Sequence, residues 1–264
     1  MNRLKIVDIQ KMKNIRPIVC LTAYTASITK AIENYVDIIL IGDSLGTAIY
    51  GMSNTQSVNM DMMESHGKTV VQSSNKPFTI IDMPYASYRN YKKAFFNASK
   101  LIKNTGCQSV KIEVNNKDIK TVSYLTKKNI QVVSHIGVKP QSFSNFSKIK
   151  AVGKSKSEKT KLLNLALKLE DAGSCMLLLE CVYEETAKEI TSMVNIPTIG
   201  IGSSVYCDGQ ILVVNDLLGL NTNLHKPKFI KKYSNLSLEI RKSVKKYSQD
   251  IKKKKFPSKK YTYR

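Results

Sequence analysis

Val36-Asp37-Ile38-Ile39-Leu40-Ile41-Gly42-Asp43-Ser44 is the stretch on which the fold turns. Its apolar residues follow one another without the alternation of a strand that has one wet face. A short β-branched run closed by a glycine turn reads as a strand buried on both sides, the habit of parallel sheets. Cys175-Met176-Leu177-Leu178-Leu179, closed by Glu180, repeats the pattern. Further runs at 17–24, 78–81, 109–112, 130–134, 197–201 and 211–214 bring the strand candidates to eight.

Segments with helical spacing lie between most of them, at 27–35, 60–72, 91–104, 119–128, 159–172 and 184–193. Several close on glycine or asparagine, as at Gly106, Asn129 and Gly173, where a helix end needs a left-handed residue. Strand–helix alternation repeated this often implies parallel strands joined by right-handed crossovers. Eight such units predict a closed (β/α)8 TIM barrel: α/β, one catalytic domain over residues 1–250, with a basic tail over 251–264. Two long turn-rich stretches, 42–59 and 139–157, read as functional covers. Beyond residue 221 the pattern decays into a lysine-rich helix at 236–246 and a polar tail.

Composition narrows the class. The chain has 264 residues, 42% hydrophobic and 23% charged, which excludes wholesale disorder. No apolar run approaches a membrane span, and the N-terminal residues lack the apolar core of a secretory signal. Cys20, Cys107, Cys175, Cys181 and Cys207 form no CxxC pair, so reduced, buried thiols in a cytoplasmic protein are expected. The net charge is +22, but Arg3, Arg16, Arg89, Arg241 and Arg264 are the only arginines. Arginine is the bidentate reader of phosphate and bases, so a lysine excess predicts a solvated surface and a loose basic tail, with no specific nucleic-acid partner.

The chemistry sits where the strands end. The second ends in Gly42-Asp43-Ser44, the third in Asp82, the fourth in Lys111-Ile112-Glu113, the fifth in His135 and the sixth in Glu180. In a parallel barrel these ends share one face, the face on which active sites are built. Side chains alternate along a strand, so Lys111 and Glu113 point the same way. Charges facing a barrel interior are costly unless paired or bound to a ligand. Asp43, Asp82 and Glu113 are hard oxygen donors with no cysteine attached, a set suited to Mg2+. His66, within 60–72, and His225, near the tail, read as structural or surface groups, with an approach of His66 to the site as the alternative. Gly200-Ile201-Gly202-Ser203-Ser204 is a small-residue turn that alone says little, and Asp208-Gly209-Gln210 reads as the turn into the eighth strand.

At this point the chain resembles the ketopantoate hydroxymethyltransferase family over residues 18–232. The motifs are Leu21-Thr22-Ala23-Tyr24, Ile41-Gly42-Asp43-Ser44-Leu45-Gly46, Asp82-Met83-Pro84-Tyr85, Val110-Lys111-Ile112-Glu113, His135-Ile136-Gly137 with Pro140-Gln141, Leu179-Glu180-Cys181-Val182, Ile199-Gly200-Ile201-Gly202 and Asp208-Gly209-Gln210-Ile211-Leu212-Val213. The resemblance implies a Mg2+-dependent barrel that moves a one-carbon unit from 5,10-methylenetetrahydrofolate to 3-methyl-2-oxobutanoate, on the route to pantothenate. Carried over by motif, Asp43, Asp82 and Glu113 are the metal set. Ser44, Lys111 and His135 contact the substrate, to which Asp43 and Asp82 also lie close. Glu180 is the general base, its pKa expected to be raised by the leucines before it. A homo-oligomer, a decamer of pentameric rings, is also implied. Thr25, Val114-Asn115, Lys154, Ser203-Ser204 and Asn215-Asp216 depart from the family pattern; none belongs to the metal set or is the base.

Two other readings compete. Barrels of the phosphoenolpyruvate mutase and isocitrate lyase kind also act on 2-oxo acids through acidic metal ligands, but no Lys-Lys-Cys-Gly-like lyase loop occurs here. A degenerate barrel holding RNA through its charge would gain nothing from carboxylates at its mouth, which repel phosphate.

Overall fold

The computed structural model describes residues 3–144, 150–221 and 227–263. His225 and part of the 139–157 stretch lie outside the described residues. Two compact units emerge, Met1–Val213 and Val214–Arg264.

The first unit is a closed barrel of eight parallel strands, each paired with its sequence neighbours and the eighth with the first. The order is α1 (Ile6–Met12), β1 (Ile18–Thr22), α2 (Ala26–Ile32), β2 (Ile38–Ile41), α3 (Leu45–Ala48), α4 (Met60–Gln72), β3 (Phe78–Asp82), α5 (Tyr91–Thr105), β4 (Ser109–Glu113), α6 (Ile119–Thr126), β5 (Val132–Gly137), α7 (Lys156–Asp171), β6 (Met176–Glu180), α8 (Glu184–Met193), β7 (Thr198–Ile201) and β8 (Gly209–Leu212). The expected barrel is therefore the observed one.

Local chemistry explains most boundaries. Asn59 and Asn90 cap α4 and α5 by accepting from Met62 N and Lys93 N. Helix α7 starts at Lys156 rather than 159 because Ser155 and Glu158 form a reciprocal capping box. Strand β8 lies two residues earlier than expected, at Gly209–Leu212 rather than 211–214. Gly209 pairs with both Ile18 and Ile199, and a Cβ there would stand 2.5 Å from the Ile18 carbonyl oxygen. That close approach explains why the strand opens on glycine, a residue that sequence patterning counts against a strand.

Helix α1 was not expected. Its Ile9 is fully buried among Ile18, Ile38, Phe78, Cys175 and Ile199, with Leu4, Ile6 and Met12 packed beside it. The helix thus closes the amino-terminal end of the barrel, and Lys13 Nζ, just past it, lies 2.8 Å from Asp208 Oδ2 in a buried ion pair. Asp208 precedes β8, so it stands at this stabilising end, away from the strand ends that carry the candidate site. The five cysteines are buried and unpaired, as expected of reduced thiols.

The second unit holds α9 (Val214–Leu217) and α10 (Leu236–Lys252), followed by a 3-10 turn at Lys259–Tyr261. Helix α10 runs six residues past its expected end and into the segment read as tail. The tail is also less loose than its charge suggests. Phe256 sits 5.7 Å from both Tyr247 and Tyr261, ring centre to ring centre. No helix among the described residues is long and apolar enough to cross a membrane.

Truncating the plug should test this account. Ile9→Ala is expected to lower unfolding free energy by about 2–5 kcal/mol, read by urea denaturation. A loss below about 0.5 kcal/mol, the range of ordinary surface changes, would show that α1 does not seal the core.

Candidate active site

Strand register gathers the site. Asp82 pairs with Lys111, Glu113 with His135, and Gly137 with Glu180. Residues paired across parallel strands share a face, and positions two apart along a strand do too. Asp82, Lys111, Glu113, His135 and Glu180 therefore all face the barrel axis, each pair a step further toward the mouth. Asp43 and Ser44 follow β2 on the same rim.

The contacts agree with that register. Lys111 Nζ lies 3.1 Å from Asp82 Oδ1, and both side chains are buried. Asp82 Oδ2 accepts from the Asp43 backbone N–H at 2.9 Å. Lys111 Nζ also lies 3.4 Å from His135 Nδ1. An ammonium only donates, so Nδ1 accepts, which leaves the proton of neutral His135 on Nε2. That Nε2 is buried, stands 3.3 Å from Glu180 Oε2, and makes no well-aligned hydrogen bond. Glu180 keeps 17% of its side chain exposed, the most open of the set. Beside it, Gly137 adopts φ +96, and a Cβ there would sit 2.3 Å from the Glu180 carbonyl oxygen. Only glycine lets β5 pass that close to the end of β6.

The electrostatics are lopsided. Burial, reinforced by Asp82, pushes the Asp43 carboxyl up to about 7, against the opposing pull of Lys111 and Gln141. Burial likewise holds Glu113 well above the ordinary carboxylate range, with Lys111 opposing and Asp43 adding to the rise. Burial opposes the charge on Lys111, but Asp82, Asp43 and Glu113 outweigh it and raise its pKa. Burial and the Lys111 charge lower His135, which keeps it neutral. One ammonium thus faces four carboxyl groups, and Asp82 Oδ1 receives no aligned hydrogen bond.

Such a site suits a divalent cation. Mg2+ is commonly held by one or two carboxylates, with waters and substrate oxygens filling the octahedron. Asp43 and Asp82 are the adjacent pair, and Glu113 is tied to Asp43 through Gln141. Among the described residues no group of three histidine, cysteine, aspartate or glutamate side chains forms a ready-made cage. Asp43, Asp82 and Glu113 thus form an open set of oxygen donors among the described residues and not a closed cage.

Three neighbours had no role in the sequence reading. Tyr24 is buried, and its hydroxyl lies 2.7 Å from Ser44 Oγ. Tyr88 and Gln141 bond to each other beside Glu113. Tyr24 closed the expected strand 17–24, but β1 ends at Thr22 and leaves Tyr24 in the connection, and Gln141 sits in a turn with no periodicity to aim it at the site. His66 behaves as a structural group. Its Nδ1 contacts the Tyr24 carbonyl oxygen at 2.6 Å and its Nε2 the Tyr50 hydroxyl at 3.0 Å. The small-residue turn after β7 is tied down by Ser203, whose hydroxyl accepts from Val182 N and donates to Leu179 O.

A closed parallel barrel with titratable groups from successive strand ends gathered at its carboxyl-terminal mouth defines a (β/α)8-barrel enzyme. The family profile described as ketopantoate hydroxymethyltransferase matches residues 3–259. The chain belongs to that family, and is a transferase. It is 44% identical over 259 residues to the 3-methyl-2-oxobutanoate hydroxymethyltransferase of Pelagibacter ubique (strain HTCC1062), covering 98% of this chain and 99% of the relative. With the protein of the same name from Rhizobium etli it shares 40% over 263 residues, 99% of this chain and 96% of the other. Among solved structures, a putative phosphonomutase from Burkholderia cenocepacia J2315 superposes with a TM-score of 0.64 at 11% identity, over 80% of this chain and 93% of that one. Phosphonopyruvate hydrolase, in a crystal structure with oxalate and Mg++, gives 0.61 at 11% identity, over 98% and 93%. At that distance the likeness establishes the barrel alone. The phosphoenolpyruvate mutase and isocitrate lyase group is thus akin in fold, while sequence places the chain with the hydroxymethyltransferases.

The buried acid excess predicts a linked pH dependence. Asp43 holds its proton longer folded than unfolded, so without metal it adds stability at low pH that is lost as pH rises from about 4 to about 7. A cation needs the ionised form. The rise in Tm on adding Mg2+ should therefore be larger at about pH 8 than at about pH 5.5, measured by differential scanning fluorimetry. An equal or larger rise at the acidic pH would contradict the assignment.

Proposed function

We propose that this enzyme transfers a hydroxymethyl group from 5,10-methylenetetrahydrofolate to 3-methyl-2-oxobutanoate, forming 2-dehydropantoate for pantothenate biosynthesis in the cytoplasm. Family membership supports the reaction class. The observation that supports the mechanism is geometric: Asp43, Asp82 and Glu113 are buried together at the mouth, linked through the Asp43 N–H and Gln141, with the Lys111 ammonium beside Asp82.

Asp43, Asp82 and Glu113 would hold Mg2+. When bound, the ion supplies a Lewis acid for the keto oxygen and stabilises the enolate charge as it develops. Lys111 and neutral His135, with Ser44 at the rim, bind and orient the substrate carboxylate; Asp43 and Asp82 line the same position. His135 can donate from Nε2 without carrying a charge that would compete with the cation. Glu180 stands at the more open edge of the set and takes the C3 proton. Water adds to the methylene carbon of the folate and its two C–N bonds break, which frees formaldehyde and returns tetrahydrofolate. The C3 enolate then bonds to that carbon, and the former carbonyl oxygen takes up a proton as the new hydroxyl.

The same reading takes the protein as a homo-oligomer, a decamer by family likeness, with no specific nucleic-acid or membrane partner. The lysine excess is then surface charge that keeps the protein soluble and draws anionic substrates toward the mouth.

Two measurements test the function. Condensation of 3-methyl-2-oxobutanoate with 5,10-methylenetetrahydrofolate should proceed with Mg2+ and stop on adding EDTA; turnover undiminished by EDTA would remove the metal from the mechanism. Glu180→Gln should retain Mg2+ and ketoacid binding, yet lose at least about 100-fold in C3 proton exchange followed by NMR in deuterated water. Exchange at the parent rate would remove Glu180 from the role of base.

A further inference from the structure

Gln141 makes more polar contacts across the mouth than any residue with an assigned role, and it is only 2% exposed. It sits in a 3-10 turn, Pro140–Ser142, that follows β5. Its Nε2 donates to Asp43 Oδ2 at 2.7 Å and to the Met83 carbonyl oxygen at 3.0 Å. Its Oε1 accepts from the Tyr88 hydroxyl at 2.5 Å. Its backbone N–H donates to Glu113 Oε1 at 3.1 Å, and its carbonyl oxygen accepts from Gln56 Nε2 at 2.9 Å. One residue thereby ties together the ends of β2, β3 and β4.

The amide can face only one way. Asp43 and the Met83 carbonyl both need a donor, while the Tyr88 hydroxyl, buried beside carboxylates that raise its pKa, stays protonated and needs an acceptor. A flipped amide would set oxygen against two oxygens. The same residue thus fixes one oxygen of Asp43 by its side chain and one oxygen of Glu113 by its backbone, and it claims neither of the remaining oxygens.

We propose that Gln141 is a positioning residue for the divalent-ion site, orienting Asp43 and Glu113 before the ion arrives. The inference rests on the metal reading above. Groups that orient metal ligands from behind commonly change affinity by about 10–100-fold when removed. Preorientation matters most here because the carboxylates come from separate strands and repel one another when ionised.

The test uses Mn2+ alone, titrated into the full chain without substrate and followed by loss of the free-ion EPR signal. The parent is measured first. Gln141→Met keeps the volume and the backbone N–H but removes the donor to Asp43. It should bind Mn2+ about 10–100-fold more weakly. Tyr88→Phe removes the donor to Oε1, so the amide loses one of the three bonds that hold it, and Mn2+ binding should weaken by a smaller factor. A Gln141→Met protein that binds Mn2+ within about twofold of the parent overturns the proposal, whatever its Tm, because a merely structural glutamine would move stability and not affinity. If Gln141→Met does not fold, Tyr88→Phe decides: weaker binding supports the proposal and unchanged binding overturns it. A parent that binds no Mn2+ defeats the metal reading itself and this inference with it, and that outcome is seen before any variant is made.

Discussion

The contact between Lys111 and Asp82 is the constraint on which the rest depends. It puts an ammonium on the barrel axis where the polar mouth meets the apolar interior, beside Val133, Met176 and Leu178. Taking two such charges out of water costs several kcal/mol for each, so the pair is poor material for stability alone. It persists because the chain builds further polar structure above it. Asp43 N–H covers the second Asp82 oxygen, and His135 faces the ammonium. The apolar layers and the sealed amino-terminal end supply the stability that this mouth consumes.

Depth then separates the tasks. Register carries the facing pairs upward from Asp82 and Lys111, through Glu113 and His135, to Gly137 and Glu180. The deepest groups are nearly dry, and there a dication gains most from fixed carboxylates. The highest acid is partly wet and next to the glycine that opens space for it. The proposed role of Glu180 as base suits that level, since a base must release its proton after each turnover. The same sheet that closes the barrel thus sets the order of the strand-borne groups along its axis, and the turn holding Gln141 then fixes Asp43 and Glu113 at the rim.

Much of this was readable in the sequence because strand ends are. Asp82, Glu113 and Glu180 each terminate an apolar run, so topology alone sends them to one rim, and the spacing of Lys111 and Glu113 fixes their shared face. What escaped was of three kinds. Helix α1 is a single short amphipathic element whose burial depends on the barrel end it plugs, and nothing local announces that end. Strand β8 begins with glycine because Ile18 crowds it, a tertiary reason that patterning reads as a turn. Gln141 and Tyr88 sit in connections, where contacts are set by how loops cross and not by a period of two or 3.6, and Tyr24 joins them because β1 stops at Thr22, two residues before the expected end. The lysine-rich end shows the opposite error: charge suggested a loose tail, and Tyr247, Phe256 and Tyr261 fold part of it on themselves.

The distant barrels at 11% identity show how little of the chemistry the fold itself dictates. A (β/α)8 frame offers eight strand ends and fixes their heights; it does not choose what stands on them. In this chain the choice is a buried acid excess with one ammonium in its midst and a neutral imidazole beside it. An ammonium so placed shields the carboxylates from one another, and its hydrogen bond to His135 selects the imidazole proton that faces Glu180. The residue that makes the acid-rich mouth tolerable is therefore also the one that sets its polarity, and replacing it would disturb both at once.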